Sequence, residues 1–144
     1  MIPRAFYGAA EFVLNTRLRK ALGSEQLDFD GIRNLIGDAE GATVALDVPT
    51  LEYTLRMRLE RMAKGLRADP ANVELLSRLD AAVGMARSLP LEVNLATIQN
   101  ICYELLQTAY PDFQKKGTAE GQNASSWIDH FRALAEKLSL RIAE

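Results

Sequence analysis

The sequence predicts an all-α protein, a bundle of five or six helices that forms a single domain over residues 1–144. Apolar residues recur at intervals of three and four along most of the chain, which is the helical period. Proline and glycine residues separate these runs at intervals typical of helix ends. The one extended run, from Thr43 to Asp47, has no obvious strand partner, so we expect it to be a loop.

Two helices are predicted before this loop. The first spans Pro3 to Leu22 and ends before Gly23, which suits the position just past a helix end. Its predicted apolar side consists of Phe6, Ala9, Ala10, Val13, Leu14, Leu18, Ala21 and Leu22. The second runs from about Asp28 to Glu40. It is short and contains two glycines, each costing about 1 kcal/mol in a helix, so it depends on packing.

Three central helices are expected to form an antiparallel up-down-up unit, because short links connect them. The first covers Thr50 to Leu66 and has a regular leucine-rich stripe. Asp69 is predicted to cap the second helix, with Pro70 at its first position. The third follows the turn at Leu89-Pro90.

Asn94 is predicted to cap this third helix, which runs to about Ala109, and Tyr110-Pro111 is predicted to end it. Residues 111–124 are polar and contain glycine, so a flexible loop is expected there. Ser126 is then predicted to cap a final helix, with an acidic residue three positions on. The apolar face of that helix comprises Trp127, Phe131, Leu134, Leu138 and Ile142.

Charge and cysteine content narrow the function classes. The net charge of −2 offers no broad field for nucleic acid, and no apolar run reaches the length of a membrane span. We therefore expect neither a nucleic-acid nor a membrane partner. A single cysteine and the lack of a signal peptide favour the cytoplasm. The arginines and lysine between Thr50 and Arg67 fit either a solvated helix face or a binding patch.

The residue types that usually perform catalysis or bind metals are sparse. One histidine, His130, and one cysteine, Cys102, cannot assemble the usual metal ligand sets, and Cys102 lies on an apolar stripe. Glu92 and Glu104 are twelve residues apart, which gives no reason to expect a catalytic pair. We therefore predict no catalytic, cofactor-binding or metal-binding residue. Five aromatic residues are expected in the core, although exposed together they could stack on sugars: Phe6, Phe12, Tyr103, Trp127 and Phe131.

Two segments carry a family resemblance. The first is Asn15 to Leu22, and the second runs from Leu89 to Leu106. The signature is the succession of the motifs Arg-Ser-Leu-Pro, which begins just before the second segment, Glu-Val-Asn-Leu, Gln-Asn and Tyr-Glu-Leu-Leu. Together they resemble the C-terminal helical domain of unknown function in bacterial proteins of glycoside hydrolase family 57, which are alpha-amylase-like. The likeness covers roughly residues 5–108. The family's catalytic barrel has no counterpart in this sequence.

The resemblance implies a non-catalytic accessory domain that packs on the catalytic barrel of an alpha-glucan-active glycoside hydrolase or glucanotransferase. The chain would then be a C-terminal piece of a larger protein, and alpha-glucan a possible ligand. The alternative is an independent interaction or regulatory domain with no link to carbohydrate. The polar residues Gln99, Asn100 and Tyr103, together with Trp127, are the candidate binding or interface residues. Buried and hydrogen-bonded they would be architectural, whereas in an open groove they would favour binding.

Overall fold

Seven α-helices make up the part of the chain that the computed structural model describes, residues 4–116 and 122–142, with side chains described for 8–116 and 124–142. No strand occurs in those ranges. The helices are α1 (Arg4–Leu22), α2 (Phe29–Gly41), α3 (Val48–Ala68), α4 (Val73–Ser88), α5 (Ala96–Gln107), α6 (Ala109–Lys116) and α7 (Gln122–Lys137). The all-α prediction is confirmed, and the helix count exceeds the five or six expected. None of these helices combines the length and hydropathy that a membrane crossing requires.

The start of α4 differs from the prediction. Asp69 does not cap it, because α3 continues to Ala68 and the Asp69 N–H donates to the carbonyls of Gly65 and Leu66. Asn72 caps α4 instead, and its side-chain oxygen accepts from the Leu75 N–H at 3.0 Å. Two different residues therefore terminate the two helices: Asp69 closes the end of α3, and Asn72 caps the start of α4.

The predicted cap of α5 is also displaced. Leu95 occupies the cap position, and the Asn94 side chain accepts from the Ala96 N–H at 3.0 Å. A bond from side chain to backbone two residues on forms a local turn that precedes the helix. The Asn94 N–H meanwhile donates to the Glu52 carboxylate on α3. Asn94 therefore fixes the entry to α5 without being its cap residue.

The region expected to be a flexible loop is largely helical where it is described. Pro111 lies in the first turn of α6, where proline is tolerated because its missing N–H would have no helical partner. Residues 111–116 belong to α6 and residues 122–124 to α7, while 117–121 lie outside the described residues. Ser126 is not a cap, because α7 begins four residues earlier, at Gln122.

Helix α3 lies at the centre of the packing. It contacts α1, α4 and α5, while α7 packs on α4 and α6, and α2 packs mainly on α1. The largest fully buried side chains come from every helix except α6: Trp127, Phe131, Leu18, Leu22, Ile32, Leu51, Leu55, Leu59, Leu66, Leu76, Leu79 and Ile98. The predicted apolar side of α1 is only partly buried, because Ala9 and Val13 face solvent.

Aromatic rings join α6 to α7. Trp127 is fully buried and stacks on Phe113 and Phe131, with centroid distances of 4.2 and 4.9 Å. Its indole N–H donates to the Pro70 carbonyl at 2.6 Å. Tyr110 is buried beside Phe131 and accepts a hydrogen bond from Arg132. The expectation of core aromatics therefore holds for Trp127 and Phe131.

Candidate functional site

The four residues proposed from the sequence do not share one surface. The Gln99 amide is half-buried and donates to the Leu138 carbonyl at the end of α7 at 2.8 Å. Asn100 is exposed, and Tyr103 exposes 53% of its surface, which overturns the core expectation for that ring. Trp127 lies in the aromatic cluster described above. Its buried ring presents no open face on which a sugar could stack.

Gln99 lines a shallow cleft where α4 ends, α5 begins and α7 ends. The cleft encloses about 450 Å³. Its polar lining consists of Arg87, Glu92, Asn94, Gln99, Lys137 and Ser139. The cleft is therefore built mainly from the segment Leu89 to Leu106 and closed by the end of α7.

Most polar groups around this cleft already have partners. The Arg87 guanidinium donates to the Lys137 carbonyl, and the Lys137 ammonium donates to the Asp80 carboxylate at 2.5 Å. Glu92, by contrast, is exposed at the cleft edge. These bonds join α4 to the end of α7, and the bond from Gln99 to the Leu138 carbonyl joins α5 to the same end. The cleft is thus chiefly a structural junction with one outward-facing carboxylate.

A second concavity lies between α1 and the start of α3. Asn15 forms its base: the side-chain amide donates to the carbonyls of Glu11 and Ala45, and the side-chain oxygen accepts from the Asp47 N–H at 2.7 Å. One side chain therefore uses both donors and its acceptor to hold α1 against the connection that enters α3.

We call this concavity the α1–α3 groove. It encloses about 630 Å³ and is lined by Gly8, Glu11, Phe12, Asn15, Thr16, Arg19, Asp47, Thr50 and Leu51. Phe12 stands at its rim with 73% of its surface exposed. Val13 and Val48, from the same two helices, are also exposed. Of these three side chains Phe12 lines the groove, and an exposed aromatic ring at a groove is typical of a protein contact site.

An ion-pair ladder runs along α3. Arg56 lies between Glu52, at 3.0 Å, and Glu60, at 3.8 Å, and Glu60 is only 8% exposed. The hydrogen bond to the Glu52 carboxylate raises the pKa of Arg56 above its ordinary value, with a further contribution from the charge of Glu60. The arginine also lies over the Tyr53 ring. Arg56 therefore does not face freely into solvent, as the amphipathic pattern of this helix would place it.

The residues considered for chemistry are placed as follows. Cys102 is buried, and this burial raises the pKa of its thiol to about 12. His130 lies 3.9 Å from the Asp80 carboxylate at the contact of α4 and α7. Glu92 and Glu104 are exposed. Among the described residues, no three histidine, cysteine or acidic side chains gather as a metal site would require.

Sequence reasoning missed the α1–α3 groove. The available signal was Phe12, which falls outside the apolar side predicted for the first helix. An aromatic residue off the packing side indicates either a second contact or solvent exposure. The structure shows exposure, so the core expectation is wrong for Phe12; the side chain of Phe6 lies outside the described side chains.

Comparisons of this chain with protein-family models, with curated proteins and with solved structures found no match.

Proposed function

We propose that this chain is a non-catalytic helical domain that binds a helical segment of another protein or domain in the α1–α3 groove. The observation that supports the proposal best is Phe12, an aromatic side chain that is 73% exposed beside a groove of about 630 Å³. Exposed aromatic rings at a groove are the usual anchors of protein contacts. Asn15 holds α1 against the connection to α3 at the base of the groove, which supports a groove formed before the partner binds.

A narrower form of the proposal rests on the sequence resemblance alone. In that form the partner is the catalytic barrel of an alpha-glucan-active enzyme, the domain acts in the cytoplasm, and alpha-glucan is a possible further ligand. The broader alternative is an independent interaction or regulatory domain. Phe12 supports both forms, since each requires a partner protein surface.

We also propose that α3, α4 and α5 form an antiparallel up-down-up unit, which supports α3 on the side away from the groove. Its support lies in contacts near the helix ends. Gly65, late in α3, lies against Leu75, early in α4. Asn94, just before α5, bonds to Glu52, early in α3. These pairs bring the start of α5 back to the start of α3.

The groove is tested by placing a photo-crosslinking phenylalanine analogue at Phe12 in cells that make the full-length protein. We expect one crosslinked partner, identified by mass spectrometry. The purified partner should then bind the purified domain, and Phe12→Ser should weaken that binding at least about tenfold. The matched control places the analogue at Asn34, which is exposed on α2. Equal crosslinking at both positions, or none at Phe12, would contradict the proposal.

The two forms of the proposal are separated by carbohydrate assays. The purified chain is expected to hydrolyse no alpha-glucan, and calorimetric titration with maltooligosaccharide tests direct sugar binding. A barrel as the crosslinked partner supports the narrower form, and an unrelated protein supports the alternative. Measured turnover that is lost in Glu92→Gln or Glu104→Gln would show that the chain is an enzyme.

A further inference from the structure

We propose that the partner segment is acidic where it leaves the α1–α3 groove, because the groove opens onto a cationic surface. We call this surface the basic face and define it by Arg19, Arg58, Arg61 and Lys64. This inference deepens the proposed function and rests on it: it assigns the chemistry of the partner segment at the same pair of helices.

Contacts between α1 and α3 place the basic face next to the groove. Arg19 itself lines the groove beside Thr50. One turn farther along both helices, the Gly23 backbone lies against the Thr54 side chain. The Arg58 guanidinium then donates to the carbonyls of Ser24 and Glu25, just past the end of α1. A segment leaving the groove toward the end of α1 therefore meets Arg58 next.

The positive charge of this face is not neutralised by neighbouring side chains. Arg19, Arg61 and Lys64 are exposed, and none forms an ion pair with another described residue. Arg58 bonds to backbone carbonyls, which leave its charge in place. The nearest acidic residue of α3, Glu60, is paired with Arg56. The acidic residues nearby, Glu11 and Asp47 in the groove and Glu25 past the end of α1, form no ion pair with these cations, so an anionic partner can still reach them.

The composition of the combined surface favours an acidic protein segment over nucleic acid. Its other end holds the exposed ring of Phe12, which suits an apolar side chain rather than a phosphate. A small depression of about 200 Å³, lined by Gly23, Met57 and Arg61 among others, offers an aliphatic contact beside a cation. A helix with apolar residues at one end and carboxylates at the other matches both parts.

The probe is fluorescein-labelled poly-L-glutamate, titrated into the purified full chain and followed by fluorescence anisotropy. We expect binding that weakens at least about tenfold between about 25 and about 200 mM NaCl, because exposed charge pairs are screened. The variant Arg61→Glu/Lys64→Glu should lose at least about tenfold in affinity. The control Arg33→Glu/Arg141→Glu changes the net charge equally at exposed positions elsewhere and should retain binding within about twofold. Circular dichroism confirms that both variants are folded.

Three results with the isolated chain would overturn the inference, and so would one with a crosslinked partner. The first is equal loss in the two double variants, which would show a response to net charge alone. The second is tighter binding of an oligothymidylate than of poly-L-glutamate at the same face, which would assign the face to nucleic acid. The third is salt-sensitive self-association abolished by Arg61→Glu/Lys64→Glu, which would assign it to a second copy of the chain. A partner crosslinked at Phe12 whose affinity ignores this variant would leave the proposed function standing without the acidic segment.

Discussion

Thr43 and Ser139 have positive φ angles, of 55° and 60°, just past the ends of α2 and α7. In both places the following residue donates back into the last helical turn: Val44 to Ala39 and Leu140 to Ala135, each at 2.8 Å. This pattern ends helices efficiently, but it usually employs glycine, because a β-carbon is strained in the left-handed region.

The strain at Thr43 predicts a stabilising substitution. Thr43→Gly should raise the free energy of unfolding by about 0.5–1 kcal/mol, since glycine adopts this conformation without the steric cost that a β-branched residue bears. Urea titration followed by circular dichroism measures the change. Ala42→Gly is the matched control: Ala42 has a φ of −88°, so glycine there should be neutral or destabilising. Equal effects at the two positions would count against strain at Thr43.

Cys102 predicts an alkaline loss of stability. Because burial raises the pKa of its thiol to about 12, the folded protein keeps the proton at pH values where the unfolded chain releases it. Stability from this group is complete below pH ~8.5 and falls as pH rises toward ~12, by up to about 1.4 kcal/mol per pH unit. Unfolding free energies of the wild type and Cys102→Ala, measured from about pH 8 to about pH 10, should show the steeper decline in the wild type. Parallel curves would mean that the thiol is accessible.

Helix α7 depends on Trp127, the only tryptophan of the chain. Trp127→Ala should lower the free energy of unfolding by about 3–5 kcal/mol, because it removes a fully buried ring and leaves the Pro70 carbonyl without its donor. Phe131→Leu keeps an apolar side chain at the next position of the stack and should cost less. Native tryptophan fluorescence should be blue-shifted and resistant to acrylamide. Ready quenching in the folded protein would contradict the buried placement.

Helix α5 offers a matched pair for separating structural from surface polar residues. Gln99→Ala removes the bond to the Leu138 carbonyl and should cost about 1 kcal/mol, whereas Asn100→Ala, at an exposed position, should change stability by less than about 0.5 kcal/mol. Thermal unfolding measures both. A larger effect at Asn100 would contradict this assignment, because it would show that the Asn100 side chain stabilises the fold.

The arrangement of the seven helices predicts uneven stability. Because α2 packs mainly on α1, while α3 contacts three other helices, α2 should open without the rest of the molecule unfolding. Native-state hydrogen exchange should give α2 amides opening free energies at least about 1–2 kcal/mol below those of α3 and α4. Exchange of α2 and α3 in a single cooperative step would contradict this prediction.

The helical period was sufficient to place α1, α2 and the middle of α3, because leucine and isoleucine on one side leave few alternatives. Helix starts were harder: Asp69 and Asn72 are both good caps, and only the extension of α3 to Ala68 decides between them. Proline at 111 suggested a helix end, although the same residue fits a first turn. The α1–α3 groove depends on which side of α1 packs, and spacing alone does not determine that.

The Asn15 side chain also bears on how much the connection between α1 and α3 can vary in length. Its bonds to the Ala45 carbonyl and the Asp47 N–H join residues that are 30 and 32 positions apart. The second half of α1, all of α2 and the connection after it therefore form a loop that these hydrogen bonds close at its base. The same loop is also anchored by the fully buried Leu18, Leu22 and Ile32. The entropy cost of closing a loop grows only slowly with its length, by about 0.6 kcal/mol per doubling. Insertions between α1 and α2 should therefore be tolerated as long as the Asn15 hydrogen bonds and these core contacts remain.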